Sequence, residues 1–197
     1  MTITAAQERA LEHIPVAMVR EELTQLPSVP LPDGYRLRYY RRGEDCLWAE
    51  IETCVGEFPS VERALAHFEK EFGPHRDEME NRCLFLEDAN GRAIGTTTAW
   101  YNHDYHGKDH GRIHWVGIVP GYRGRKLAKP LMAAAMERLA ESHERAYLTT
   151  QTTSARAIRM YLDFGFVPFV TSDECRRGWR LLAEVLEHPA LEVHRGR

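Results

Sequence analysis

A stretch in the second half of the chain places positive charge where a phosphorylated ligand is easily held. The apolar residues 116–119 lead through Pro120 and Gly121 into a tight turn, and a helix is predicted to begin at about Leu127. The backbone N–H groups of a helix's first turn have no intrahelical acceptor, and the helix dipole adds partial positive charge there. The segment therefore predicts a phosphate site. Its basic residues are Arg123, Arg125, Lys126 and Lys129.

A histidine on the same predicted strand has the chemistry of a base. His114 lies two residues before Val116, and a neutral imidazole there can take a proton from an incoming ammonium, directly or through water. The alternative is a histidine packed on the opposite face, because a bulge or a one-residue slip would turn its side chain over. Glu57, at the predicted junction of two helices, is a second candidate base or acceptor contact, with a plain surface acid as its alternative.

A polar segment before His114 is dense in histidine and aspartate. Three interpretations stay open: a metal site, a solvated loop, and a loop that borders the pocket for an acceptor. The spacing matches no zinc motif with fixed geometry, so no metal is expected. The residues concerned are His103, Asp104, His106, Asp109, His110 and His114.

Hydrophobic periodicity predicts the elements that position these residues. Strands are expected over residues 35–40, 83–87, 93–101, 113–119, 146–151 and 166–170, with a hairpin at Asn90-Gly91 and a polar loop over residues 102–111. Two helices fall between the first two strands; Gly56 is expected to end the first, and Ser60 to cap the second. Helices also follow Leu127, Ser154 and Ser172, and the helix after Ser154 is expected to be capped by that serine and to end at Gly165. The order β-αα-β-β-β-α-β-α-β plus a C-terminal helix predicts the α/β class (mixed α+β), with a central, mixed, twisted sheet of about six strands and helices on both faces.

Two runs of sequence together resemble a known superfamily. The first is Arg123-Gly124-Arg125-Lys126-Leu127-Ala128, and the second is Ser154-x-x-Ala157-x-x-x-Tyr161-x-x-x-Gly165-Phe166. They are similar to the acyl-CoA signature R/Q-x-x-G-x-G/A and to the downstream pattern N-x-x-A-x-x-x-Y-x-x-x-G-F of the GNAT N-acetyltransferases. One helix and one strand separate the two runs, as in that superfamily, and the resemblance covers about residues 35–170.

The resemblance implies a GNAT-like fold and an acyl-CoA-dependent N-acyltransferase that uses acetyl-CoA as co-substrate. Tyr161 takes the position that commonly serves as general acid, with a plain core tyrosine as the alternative. Two positions depart from the pattern: Lys126 replaces a glycine, so φ must stay in a region that lysine tolerates, and Ser154 replaces an asparagine. The expected cofactor-binding residues are Val116, Gly117, Ile118, Arg123, Gly124, Arg125, Lys126, Leu127, Ala128, Lys129 and Ser154.

Composition limits the partners and the compartment. A net charge of −3 argues against duplex DNA as a partner, and no apolar run is long enough to span a bilayer. The four cysteines form no C-x-x-C pair, and no signal peptide is predicted, so we expect reduced thiols in a cytoplasmic protein. The expected partner is a small-molecule or peptide amine.

The chain is expected to hold one catalytic domain at residues 34–171. Residues 1–33 are predicted to be an extension with a short helix over residues 5–14, and residues 172–197 a C-terminal helical extension on the same domain. These two parts are candidates to cover the sheet, to line the pocket or to form a homodimer contact. A non-catalytic acyl-CoA sensor with the same fold is the alternative function.

Overall fold

The computed structural model describes residues 3–4, 7–8 and 10–195. The chain divides into two compact units. The central unit is Thr24–His143, and the terminal unit joins the residues up to Leu23 with those from Glu144 onward. The described part holds the strands β1 (Pro15–Arg20), β2 (Arg36–Tyr39), β3 (Cys83–Glu87), β4 (Ala93–Tyr105), β5 (Lys108–Ile118), β6 (Ala146–Gln151) and β7 (Val167–Phe169). It holds the helices α1 (Asp45–Val55), α2 (Val61–Phe72), α3 (Arg76–Arg82), α4 (Ala128–Ala140), α5 (Ala155–Asp163) and α6 (Asp173–Val185).

The central unit is an antiparallel sheet in the order β2-β3-β4-β5 with helices on both faces. A Cβ added at Gly111 of β5 would lie 2.8 Å from Leu139 of α4. A Cβ added at Gly117, further along the same strand, would instead lie 3.2 Å from Glu52 of α1. The two helices therefore cover opposite faces, as the sequence predicts.

Aromatic side chains fill the face that α1 and α2 cover. Trp48 of α1 meets Phe68 and Phe72 of α2, with ring centroids 5.3 and 6.0 Å apart, and all three side chains are buried. Each edge-to-face pair of this kind adds about 0.5–1.5 kcal/mol beyond its buried area. Gly56 ends α1 in the left-handed conformation, and Ser60 caps α2 by accepting from the Arg63 N–H, both as predicted.

The terminal unit is a three-stranded antiparallel sheet with β1 between β6 and β7. Helix α6 packs on β1 through Gly178, where an added Cβ would lie 2.8 Å from Val16. Trp179 and Leu182 of α6 are buried, and the hydroxyl of Ser172 caps the helix by accepting from the Cys175 N–H at 3.0 Å.

The structure differs from the predicted elements in four places. Residues 15–20 are the paired strand β1, not part of an unpaired extension, and α3 was not anticipated. The predicted loop over residues 102–111 is the turn and the strand ends of the long β4–β5 hairpin, which reverses at His106 and Gly107 with positive φ at both. The helix predicted over residues 5–14 falls partly on residues 5, 6 and 9, which lie outside the described residues, and residues 12–14 are not helical. The domain boundaries at 34 and 171 remain a prediction.

Candidate active site

A β-bulge in β5 shapes the centre of the candidate site. Thr96 pairs with Gly117 and Thr98 with His114, so that Trp115 and Val116 together lie opposite a single residue of β4. Trp115 has a φ of 52°, a left-handed value that few residues other than glycine adopt. Such a bulge leaves the extra residue out of the ladder and changes which face the following side chains point to. His114, Trp115 and Gly117 consequently all face α1 and α2.

Glu71 of α2 forms hydrogen bonds to two residues at the bulge. One carboxylate oxygen accepts from His114 Nε2 at 2.7 Å, and the other accepts from Trp115 Nε1 at 2.9 Å. His67, one turn earlier on α2, lies 3.0 Å from the same carboxylate. The structure thus decides the face of His114 that the sequence leaves open: this histidine points towards α2 and is hydrogen-bonded.

The charges in this cluster follow from burial and from these hydrogen bonds. Burial lowers the pKa of His114 to about 4, although its bond to Glu71 opposes the change. Burial alone would raise the pKa of Glu71, but the hydrogen bonds from His114, Trp115 and His67 outweigh it and bring the pKa to about 2. At neutral pH the cluster is therefore a glutamate anion that holds a neutral imidazole.

The strand-turn-helix unit expected to hold phosphate forms as predicted. β5 ends at Ile118, a short 3₁₀ turn covers Pro120–Tyr122, and α4 begins at Ala128. Gly124 and Lys126 have φ values of 80° and 62°. Within the described chain, no backbone N–H of residues 124–128 has an acceptor. Consecutive free N–H groups in a turn at a helix N-terminus are an arrangement that can bind an anion.

Lys126 adopts the conformation that favours glycine. Its φ of 62° lies in the left-handed region, so the expectation that it would stay in a region comfortable for lysine is not met. That conformation costs a residue with a Cβ about 1–2 kcal/mol. Pro130 is the third residue of α4, where its missing N–H would have had no intrahelical acceptor, so the helix begins close to the predicted position.

The two arginines of the turn are held by neighbouring groups. Arg125 Nη1 donates to the hydroxyl of Tyr35 at 3.2 Å, and its guanidinium lies 4.7 Å from the ring centroid of Tyr122. The Tyr122 hydroxyl donates in turn to Asp88 at 2.5 Å. Arg123 Nε donates to the Ile118 carbonyl at 3.1 Å. Both guanidinium groups are thus positioned at the turn.

The second predicted run lies in the terminal unit and is a helix-ending motif around Tyr161. The Phe166 N–H donates to the Tyr161 carbonyl at 3.0 Å, and the Gly165 N–H to the Leu162 carbonyl at 2.9 Å. Gly165 has a φ of 79°, the position where a helix-terminating glycine belongs. The rings of Tyr161 and Phe166 meet at 6.4 Å, so the Gly-Phe pair fixes the buried tyrosine.

Ser154 behaves differently from its predicted capping role. It stands at the N-cap position of α5, but its side chain makes no capping hydrogen bond. Its hydroxyl instead accepts from Gln151 Nε2 at 3.0 Å. Ser154 therefore contributes a local hydrogen bond to the Gln151 amide instead of a helix cap.

Two carboxylates near the bulge are not among the site residues predicted from the sequence. Glu71 follows Phe68 by three residues on the buried stripe of α2. Glu52 lies between Ile51 and Val55 on the buried stripe of α1, and the structure buries it with 1% exposure. An acid on an apolar stripe was the available signal in both helices. Glu57, the acid that the sequence singled out, is exposed just after α1.

The histidine-rich segment forms a hydrogen-bonded pair around Asp109. One oxygen of Asp109 lies 2.6 Å from His103 Nδ1, and the other lies 2.9 Å from Nδ1 of His143, which follows α4. Burial and these two bonds act in opposite directions on the pKa of Asp109, and the net effect is to lower it. No group of three or more potential metal ligands is present among the described residues.

Comparisons with known proteins agree with this strand-turn-helix architecture. The model of the acetyltransferase (GNAT) family matches residues 29–166. This chain belongs to the GNAT acetyltransferase family. A GCN5-related N-acetyltransferase from Sphaerobacter thermophilus shares the fold with a TM-score of 0.64 and 23% identity, over 80% of this chain and 49% of that one. A GNAT-family acetyltransferase from Colwellia psychrerythraea has a TM-score of 0.60 and 10% identity, over 80% and 53%.

Curated relatives also share sequence similarity with this GNAT chain. The mycothiol acetyltransferase of Mycobacterium sp. (strain MCS) is 26% identical in an alignment of 161 residues that covers 75% of this chain and 51% of the relative. The chain thus spans about half the length of the curated relatives it matches. In the described part of this GNAT chain, no helix is long and apolar enough to cross a membrane.

Proposed function

We propose that this GNAT protein transfers the acetyl group of acetyl-CoA to a primary amine of a small molecule or peptide, by direct attack while both substrates are bound. The observation that carries the proposal is the strand-turn-helix unit. It joins a bulged strand to the free N–H groups of residues 124–128. The family and its acetyltransferase neighbours support the reaction class.

In this proposal the basic turn binds the pyrophosphate of CoA. The free N–H groups at the start of α4 take the phosphate oxygens, and Arg123, Arg125, Lys126 and Lys129 add charge around them. The backbone of Val116, Gly117 and Ile118 pairs with the pantetheine arm like an added strand. The bulge supports this step, because it disturbs the ladder of β5 at Trp115 and Val116.

The proposed chemistry needs a proton acceptor, a polarised carbonyl and a proton donor. A backbone N–H near Ile118 polarises the thioester carbonyl, and the amine attacks its carbon. Tyr161 protonates the departing sulfur, which is feasible because a thiol has a pKa of about 8.5 and a phenol about 10. His114, neutral at neutral pH, is one candidate to take the amine proton. Much of the rate gain comes from holding the reactants together.

A tyrosine substitution tests the proposed donor. Tyr161→Phe should lower kcat for thiol release from acetyl-CoA by about 100-fold or more, because general acid catalysis contributes about 10²–10⁴. Tyr147→Phe, which changes another buried tyrosine of the terminal unit, is the matched control and should keep wild-type kcat. Wild-type turnover by the Tyr161→Phe protein would remove Tyr161 from the mechanism.

A non-catalytic acyl-CoA sensor remains the second candidate, since Lys126 and Ser154 depart from the superfamily pattern. Both functions predict that acetyl-CoA raises the melting temperature, because a ligand that binds only the folded state stabilises it. Free thiol in the presence of an amine is expected from the enzyme alone. The four free cysteines are compatible with a reducing compartment, and we retain the cytoplasm as the proposed location.

A further inference from the structure

The carboxyl group of Glu52 is buried in the central unit. The residue is 1% exposed, and its Oε1 atom has no hydrogen-bond partner among the described residues. The buried Glu87 and the half-buried Glu71 of the central unit are satisfied. Glu87 accepts from Arg36 and Arg38, and Glu71 accepts from His114 and Trp115. An unsatisfied buried oxygen lowers the free energy of unfolding. Glu52 is therefore not explained by a structural role in an ion-pair network.

The orphan oxygen lies against the strand expected to hold the pantetheine arm. A Cβ added at Gly117 would lie 3.2 Å from Glu52 Oε1, a closer contact than side chains normally tolerate. Only a glycine at 117 leaves the carboxyl this close to the backbone of β5, just past the bulge at Trp115. Val55, which approaches the same position at 3.3 Å, is half-buried, so the protein surface lies beside the carboxyl.

The electrostatics of this position suit a group that gains and loses a proton near neutral pH. Burial raises the pKa of Glu52 to about 8, and the negative charge of Glu57 contributes to the increase. Glu52 also interacts with the buried thiol of Cys83 on β3, whose own pKa is raised to about 11, mainly by burial. Glu57 is therefore the charge that tunes this carboxyl.

We infer that Glu52 is the catalytic base of this protein, which accepts a proton from the ammonium group of a cationic acceptor that binds on the α1 side of the bulge. The inference rests on the proposed acetyl transfer and names the acceptor class and the base for it. An ammonium ion supplies both the positive charge and the hydrogen-bond donor that the buried carboxylate lacks.

The reaction balances with this assignment. The acceptor ammonium gives one proton to the Glu52 carboxylate and becomes a free amine. The nitrogen lone pair forms the C–N bond to the thioester carbon, and the C–S bond breaks with its electrons on sulfur. Tyr161 protonates the sulfur and regains a proton from the nitrogen through solvent, while Glu52 returns its proton to water.

The pKa values favour Glu52 over His114 as the base. An alkyl ammonium group has a pKa of about 10.4. A carboxylate with a pKa of about 8 is closer to that value than an imidazole with a pKa of about 4. Proton transfer is efficient when the pKa of the base lies near the working pH. His114 is instead fixed by Glu71 as part of the bulge.

The test measures thiol release from acetyl-CoA as a function of pH with glucosamine, spermidine, tyramine and a lysine peptide as amines. Glu52→Gln should lower kcat/KM by about 100-fold near pH 8, and the deficit should shrink towards pH 10 as the free amine fraction grows. Glu50→Gln changes an exposed acid of the same helix and should match wild type. Glu57→Gln should shift the rising limb of the profile to lower pH, an effect that a structural role of Glu52 would not produce.

The outcomes separate the two levels of the proposal. Glutamine mimics a protonated glutamate, so wild-type kcat/KM in Glu52→Gln at pH 8 would overturn the inference and leave acetyl transfer standing. An unchanged profile in Glu57→Gln would also count against Glu52 as the titrating group. A wild-type protein that releases no thiol with any of these amines would overturn the proposed function itself, and the inference with it.

Discussion

At the scale of single residues, Lys126 combines a conformational cost with a functional charge. Its φ of 62° lies in the left-handed region, which is unfavourable for a residue with a Cβ. Its side chain adds positive charge to a turn of free N–H groups. A glycine would relieve the conformation but remove the ammonium group. The retained lysine is consistent with a turn in which charge matters more than local strain.

A pair of substitutions separates these two effects. Lys126→Ala keeps the Cβ and removes the charge, whereas Lys126→Gly removes both. We expect both variants to bind acetyl-CoA up to about fivefold more weakly, since an exposed charge pair contributes about 0.2–1 kcal/mol. Only the glycine variant should escape the strain, which costs about 1–2 kcal/mol and is partly offset by greater freedom in the unfolded chain. Calorimetric titration and denaturant unfolding measure the two effects. Equal affinity of all three proteins would exclude an ammonium-phosphate contact.

At the scale of elements, the α1–α2 hairpin acts on β5 through Glu71. This carboxylate binds both His114 and the bulged Trp115, so it fixes the irregular part of the strand from outside the sheet. The indole of Trp115 also packs on Trp48 of α1, with ring centroids 5.4 Å apart. The bulge is therefore held by two helices that belong to a different part of the sequence.

Removal of this anchor should destabilise the central unit and change its acid response. Glu71→Gln is expected to lower the free energy of unfolding at pH 7 by about 2 kcal/mol, because it weakens hydrogen bonds to a charged group. Lys70→Gln, an exposed neighbour on the same helix, should stay within about 0.5 kcal/mol of wild type. Denaturant unfolding monitored by tryptophan fluorescence measures the difference. Equal stability of the two variants would show that Glu71 does not hold the bulge.

The sign of the pH effect follows from the two lowered pKa values. The unfolded chain protonates His114 near pH 6.5, whereas the folded protein does so only near pH 4, so stability falls as pH drops through this window. The stabilising charge of Glu71 is fully present above pH 4.5 and is lost as pH falls towards about 2. Glu71→Gln should lack the second loss, which unfolding curves between pH 2 and 7 would reveal.

Local signals made the elements predictable, and non-local ones did not. Ser60, Gly56 and Gly165 mark helix ends through their own backbone or side-chain chemistry, and each takes its predicted position. Strand β1 could not be assigned in the same way, because its stability comes from pairing with β6, more than a hundred residues away. The bulge at Trp115 was equally hidden, since no local rule predicts a positive φ for tryptophan.

At the scale of the whole molecule, each of the two compact units carries one of the two sequence motifs. The central unit holds the basic turn, the bulge and Glu52, and the terminal unit holds Tyr161 and Ser154. The two sequence motifs predict the turn before α4 and the position of Tyr161 on a helix, because both motifs depend on helix-end geometry. The motifs do not point to Glu52, because this residue is distinguished by its burial and by its approach to Gly117.

The most direct test of the proposed acetyl transfer is a single reaction mixture in which both products are quantified. The protein is incubated with acetyl-CoA and each amine of the panel, and free thiol and acetylated amine are measured in the same sample by a colorimetric reagent and mass spectrometry. If the protein transfers the acetyl group, the two products form in equal amounts with at least one amine, and neither product forms without protein. Bound acetyl-CoA, seen as a raised melting temperature, without thiol or acetylated amine from any of them would contradict it.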